Sequence, residues 1–280
     1  MRVWDEERTI AVRGVTYQVC AAGQGSPLAL LHGFAGSSAH WAPLAPELVA
    51  RGWRVIAPDL LGHGRTDAPS APSRYAAAEQ VTDLASLLGE LVSGPIRLLG
   101  YSMGGRLALH LALAHPERIT ALVLESASPG LDDPAERAAR QRADEELATA
   151  IEQRGLDWFA DYWERLPLFA SRQRLSAERR AALRAEWLAQ RPHGLGASLR
   201  GFGTGSMPAV WDRLSELRMP VLVIAGALDT RYAALSQAMA ARIPASQLVI
   251  VPAAGHTVHL EQPAAFLDAL ERFFRQLPDR

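Results

Sequence analysis

Lysine is missing from this chain: all 29 basic residues are arginine. Without a lysine amine there is no Schiff base, no pyridoxal-phosphate chemistry and no Walker-type phosphate loop. Cysteine is nearly missing as well. Cys20 stands alone, which excludes a disulfide framework and a thiolate metal cluster, and in an apolar strand-like run it reads as core packing. Net charge is also scarce, because 29 basic and 30 acidic residues leave a formal −1. Such a balance provides no field to attract nucleic acid or an anionic membrane surface. No run approaches the ~20 apolar residues of a membrane-spanning helix, and residues 1–8 hold no apolar signal-peptide core. The expectation is a cytoplasmic protein with no metal, no cofactor, and neither nucleic acid nor membrane as partner.

What is present is apolar and alternating. With 49% hydrophobic residues in 280 positions, the chain can bury a full core. Residues 9–21 alternate as an antiparallel opening strand with a turn at Gly14. Short, predominantly apolar runs follow at 28–32, 53–58, 96–99, 119–124, 221–225 and 247–251, the signature of buried parallel strands. Helical spacing occupies 41–51, 76–92, 103–115, 232–242 and 263–274 between them. The economical architecture is an α/β fold, a mostly parallel sheet with helices on both faces. From 129 to 205 no strand-like run appears, and residues 134–153 and 176–190 are helical in spacing. The predicted organisation is a core in two parts, 1–128 and 206–280, with a helical lid inserted at 129–205.

Residues 100–106 read Gly-Tyr-Ser-Met-Gly-Gly-Arg, directly after one apolar run and directly before a helical one. Gly-x-Ser-x-Gly at a strand-to-helix turn is a nucleophile elbow: the tight turn lifts the Ser102 hydroxyl to the sheet edge. A serine needs a base and an orienting acid, in the order Ser, acid, His on this architecture. Asp229 follows the 221–225 run in Gly-Ala-Leu-Asp, and His256 follows the 247–251 run in Ala-Gly-His. Glu125 is the rival acid, at the end of the 119–124 run, and His259 the rival base. His32-Gly33-Phe34-Ala-Gly36 follows an earlier strand, where one backbone donor of an oxyanion hole belongs. The amides of Phe34 and Met103 are the expected pair of donors.

Arg106 lies one helical turn beyond Ser102, on the same face. In a pocket for a neutral ester a buried guanidinium would be a costly unpaired charge. Arg106 therefore either faces an anionic substrate or pairs with a structural carboxylate such as Glu125. Arg137 and Arg140, spaced i and i+3 on the first helix of the 129–205 segment, either face the same cavity or belong to a solvated helix face.

The strings at 100–106, 125–131 (Glu-Ser-Ala-Ser-Pro-Gly-Leu) and 135–142 (Ala-Glu-Arg-Ala-Ala-Arg-Gln-Arg) closely resemble one family. It is the 2-succinyl-6-hydroxy-2,4-cyclohexadiene-1-carboxylate synthases, MenH. The likeness extends through Phe159-Ala-Asp161, Trp163, 167–171, 198–205 and 254–256, nearly the whole chain. The resemblance implies an α/β-hydrolase fold performing an elimination in menaquinone biosynthesis: pyruvate is lost from 2-succinyl-5-enolpyruvyl-6-hydroxy-3-cyclohexene-1-carboxylate, a small anionic substrate. It implies Ser102, Asp229 and His256 as the triad, Phe34 and Met103 as oxyanion donors, and Arg106 and Arg140 as carboxylate ligands. Tyr101 and Trp163 match pocket positions. A further pocket arginine on the later lid helix is implied, for which spacing leaves both Arg184 and Arg191 as candidates. An esterase or carbon–carbon hydrolase of an anionic substrate is the alternative activity.

Overall fold

The computed structural model describes residues 3–277. Eight strands form one sheet: β1 (Glu6–Val12), β2 (Val15–Ala22), β3 (Ser26–Leu31), β4 (Trp53–Pro58), β5 (Ile96–Tyr101), β6 (Ile119–Glu125), β7 (Val221–Gly226) and β8 (Ser246–Val251). Their order is β1-β2-β4-β3-β5-β6-β7-β8. The β1–β2 hairpin turns at Arg13-Gly14 and joins β4 antiparallel; every other pairing is parallel. Nine helices are described: α1 (Ala45–Ala50), α2 (Ala77–Leu91), α3 (Met103–Ala114), α4 (Pro134–Glu164), α5 (Ala177–Leu188), α6 (Pro192–Phe202), α7 (Thr230–Ala240), α8 (Val258–Glu261) and α9 (Pro263–Arg275).

The apolar runs become strands because the sheet is covered on both sides, so both side-chain phases must be apolar. Leu31, Leu98, Leu122 and Val223 point to one face, which α2, α3 and Met239 of α7 cover. Leu30, Leu99, Val123 and Ile224 point to the other, against α1 and the Phe266, Leu270 and Phe273 stripe of α9.

Two helices differ from the sequence reading. The 41–51 pattern is a 3-10 turn, Ser38–Trp41, followed by the short α1. Pro43 has no N–H to continue the first turn, so the chain restarts at the second. The 134–153 helix continues to Glu164, but bends at Gly155, whose φ of 81° lies outside the helical region. Helix α6 was not legible in the sequence, because glycines at 194, 196 and 201 mask its periodicity. Gly194 is required there: a Cβ would stand 2.3 Å from the Gly62 carbonyl oxygen.

Between β6 and β7 the chain forms only helices and turns. Their apolar side chains, among them Ile151, Phe159, Leu183 and Trp187, share a cluster with Phe34 and Ala35 of the loop after β3 and with Leu260 of α8. No helix among the described residues is long and apolar enough to cross a membrane.

The approach of α3 to the sheet is close enough to test. A Cβ on Gly104 would lie 2.2 Å from the Leu31 carbonyl oxygen and 2.5 Å from that of His32. Gly104→Ala should therefore lower the unfolding free energy by about 3 kcal/mol or more, read from urea denaturation. An unchanged midpoint would contradict this packing.

Candidate active site

Ser102 joins β5 to α3 at φ 51°, ψ −108°, a conformation that a residue with a Cβ adopts only when its surroundings impose it. The imposition is visible on both sides. The Ser102 N–H donates to the Glu125 carbonyl oxygen at 2.8 Å, and the Ser102 carbonyl accepts from the Arg106 N–H at 3.0 Å. Gly100 is the residue that lets α3 fold back on the strand, since a Cβ there would sit 2.4 Å from the Gly104 carbonyl oxygen.

Two loops at the same sheet edge supply partners for the serine. Asp229 caps α7, accepting the Tyr232 N–H at 3.2 Å with one oxygen and contacting His256 Nδ1 at 2.7 Å with the other. His256 Nε2 is 2.9 Å from Ser102 Oγ. Asp229 can only accept, so Nδ1 carries the proton and Nε2 is left to take one from the hydroxyl. Burial lowers the pKa of His256 below 6.5, opposed by Asp229, and the ring is held neutral as a base.

The rival acid and base occupy each other instead. His259 Nδ1 lies 2.7 Å from Glu125 Oε2, and the His259 N–H donates to the same carboxyl at 3.1 Å. Burial pushes Glu125 up to about 8 and His259 well below 6.5. Asp229 and His256 are the pair that reaches Ser102. The Met103 amide opens α3, where helical N–H groups have no intrahelical acceptor. The Phe34 amide lies in the loop over the nucleophile: a Cβ on Gly33 would be 3.5 Å from Ser102 Cβ.

Above Ser102 is a cavity of about 240 Å³. Arg106, Arg140, Arg172 and Arg231 line it together with Phe34, Tyr101, Met103 and Trp163, and no carboxylate does so among the described residues. Arg106 is only 9% exposed, yet its guanidinium donates to neutral groups: the Phe202 carbonyl at 3.0 Å and Thr204 Oγ1 at 3.1 Å. Burial lowers its pKa to about 10. Arg172, 7% exposed, donates to Thr257 Oγ1 and to the Tyr101 hydroxyl at 3.0 Å, and its guanidinium stacks 3.7 Å over the Phe169 ring. Arg140 keeps Nε on Asp144 at 2.8 Å. No group of three or more His, Cys, Asp or Glu residues able to hold a metal occurs among the described residues.

Comparison with known proteins locates this arrangement. Residues 26–263 match the family described as alpha/beta hydrolase fold. A Bacillus subtilis (strain 168) protein, provisionally named 2-succinyl-6-hydroxy-2,4-cyclohexadiene-1-carboxylate synthase, is 44% identical over 94% of this chain and 96% of its own length. The chain belongs to that synthase family, MenH, on the α/β-hydrolase fold. The structure of MenH from S. aureus superposes with a TM-score of 0.88 at 33% identity, covering 93% of this chain and 99% of that one. A malate-bound thermophilic esterase from Thermogutta terrifontis follows at TM-score 0.84 and 29% identity, over 97% and 99% of the two chains.

One residue expected in the pocket of this MenH-family enzyme is elsewhere. Arg184 does not line the cavity; Asp161 holds its guanidinium at 2.7 Å and Glu164 at 3.7 Å. Its positive charge is neutralised within the helical segment, by carboxylates on α4. Arg191 is turned away too, donating to the Thr66 carbonyl. The arginines that do line the cavity, beyond Arg106 and Arg140, are Arg172 on the 3-10 turn Pro167–Arg174 and the exposed Arg231 at the start of α7. Neither belongs to a periodic helix face that spacing could single out. Asp229 is the only sequence signal near Arg231, and the Phe-Ala-Ser string at 169–171 the only one near Arg172.

If His256 is the base, it must act unprotonated; its pKa is lowered, so kcat/KM should hold level from neutral pH downward and its acid limb should fall only below the ordinary histidine range. A limb centred above 6.5 would contradict a buried neutral base. Asp229→Asn should cost on the order of 10⁴ in kcat with the fold intact, while Glu125→Gln costs far less.

Proposed function

We propose that this chain is a lyase of menaquinone biosynthesis. It eliminates pyruvate from 2-succinyl-5-enolpyruvyl-6-hydroxy-3-cyclohexene-1-carboxylate to leave 2-succinyl-6-hydroxy-2,4-cyclohexadiene-1-carboxylate. The observation that carries this reading is the cavity over Ser102, lined by four guanidinium groups and no carboxylate among the described residues. The substrate carries three carboxylates, on the ring, the succinyl chain and the enolpyruvyl group. Planar guanidinium forks match them, and two of the four arginines are buried without an acidic partner.

The chemistry follows from the bonds that change. His256 takes the Ser102 proton, and the serine oxygen removes the proton at ring C2, which the neighbouring succinyl ketone acidifies. Negative charge moves onto the ketone oxygen, where the Phe34 and Met103 amides are placed to hold it. The electrons then return: C2=C3 forms, C3=C4 shifts to C4=C5, and the C5–O bond breaks. Pyruvate leaves as its enolate and takes up one proton, which balances the proton lost from C2. No water is consumed. The helical segment from α4 to α6 serves as a lid that brings Arg140, Trp163 and Arg172 over the ring. A small, water-soluble substrate agrees with the cytoplasmic location expected from the sequence.

Hydrolysis of an anionic ester is the second reading, favoured by the intact triad and by the likeness to an esterase. Pyruvate release from the enolpyruvyl substrate, measured beside hydrolysis of p-nitrophenyl acetate, separates the two. Fast release with negligible esterase activity is the expected result; the reverse would identify a hydrolase.

Charge removal tests the anion site itself. Arg106→Ala and Arg140→Ala should each lower kcat/KM about ten- to a hundredfold with an unchanged circular dichroism spectrum, the scale of one charge-assisted hydrogen bond. Lysine should rescue poorly. An Arg106→Ala protein that unfolds, or keeps its kcat/KM, would make the arginine structural.

A further inference from the structure

The loop that carries the Phe34 amide is not self-supporting. Ala35, the next residue, sits at φ 59°, a left-handed conformation that an alanine keeps only when its surroundings impose it. Its methyl is fully buried in the cluster that contains Leu183 and Trp187 of α5. The same end of α5 grips the following residues by hydrogen bonds. Glu186 accepts from Ser37 Oγ at 2.8 Å and contacts His40 Nδ1 at 3.2 Å. Gln190, one turn further, donates to the Gly36 carbonyl at 3.2 Å and accepts from the Gly64 N–H at 3.0 Å. The Glu186 side chain is only 7% exposed, so its bonds are shielded from water. Below the loop, Asp59 accepts the Ser38 N–H at 2.6 Å. The loop is thus clamped between the β4 side of the sheet and α5 of the inserted segment.

We propose that Glu186 and Gln190 are positioning residues for the oxyanion site: docking of α5 on residues 36–40 holds the Phe34 amide over Ser102. Seating the helical segment and completing the oxyanion site are then one event, and an undocked segment leaves the triad intact but the developing negative charge without one donor. The inference rests on the reading of Phe34 as an oxyanion donor. Neither Glu186 nor Gln190 lines the cavity, so both act through the loop, without touching substrate.

The variants Glu186→Ala, Glu186→Gln and Gln190→Ala test it with two readouts. Glu186→Ala should lower kcat at least about tenfold while KM stays within about twofold, because the carboxylate grip lies elsewhere. Glu186→Gln should recover most of the loss, since its amide oxygen still accepts from Ser37. Hydrogen exchange supplies the second readout. The Gly36, Ser38, Ala39 and His40 amides, all hydrogen-bonded within or beneath the loop, should exchange at least about tenfold faster in Glu186→Ala and Gln190→Ala. Those of α9 should not change. Unchanged exchange in the loop, or acceleration spread evenly over the molecule, would overturn the proposal. So would faster loop exchange with undiminished kcat. If Glu186→Ala does not fold, Gln190→Ala carries the same comparison in both readouts. A wild-type protein that releases no pyruvate would refute the lyase reading instead, and the exchange measurement would still decide whether α5 holds the loop.

Discussion

A guanidinium taken out of water needs compensation, and at the centre of this molecule two of them find only neutral partners. Arg106 donates to a carbonyl and a threonine hydroxyl, and Arg172 to a threonine and a tyrosine hydroxyl. Hydrogen bonding satisfies their donors but leaves their charge uncompensated, a state that persists when the rest of the fold holds it in place. The nearby carboxylates are committed elsewhere: Asp144 to Arg140, Glu125 to His259, Asp229 to His256, Glu186 to Ser37 and His40. On the proposed reading an arriving polycarboxylate would supply the missing charge, so that binding energy and specificity for anions would come from the same residues, whereas a neutral ester would leave them unpaired.

The placement of acids is as selective as that of the arginines. Two buried His–carboxylate pairs lie side by side, with the Tyr101 ring 5.5 Å from His256 and 5.1 Å from His259. Only one pair reaches Ser102. The other fastens α8 to the end of β6 through the His259 amide and ring, and so fixes the loop from which His256 projects. Similar residues at similar depth take different roles because only Asp229 and His256 lie in line with Ser102.

The strands were legible in the sequence because a sheet covered on both faces leaves no room for polar phases, as the 28–32 and 221–225 runs show. The hydrogen-bonded set of Ser102, His256 and Asp229 was legible because each member follows a strand, in order, next to a glycine or a turn. Other features depend on tertiary partners that no local pattern announces. Arg184 looked equivalent to a pocket arginine until Asp161 and Glu164, on another helix, came within reach of it. Arg172 lies on a 3-10 turn, which has no amphipathic period to mark its inner face. Helix α6 hid behind its glycines, of which Gly194 is required by the close contact with residue 62 and Gly201 by that with Pro72. Strain at Ala35 is likewise invisible in the sequence, where the residue looks like any loop alanine.

The central claim is that a hydrolase-like triad removes a proton and lets pyruvate go without adding water. Turnover of the enolpyruvyl substrate in H₂¹⁸O, with mass analysis of the ring product, tests that claim most directly. The account predicts a cyclohexadiene that has gained no solvent oxygen, formed one for one with pyruvate. Solvent oxygen in the ring product, or in a released succinate, would show that water is the nucleophile and would contradict it.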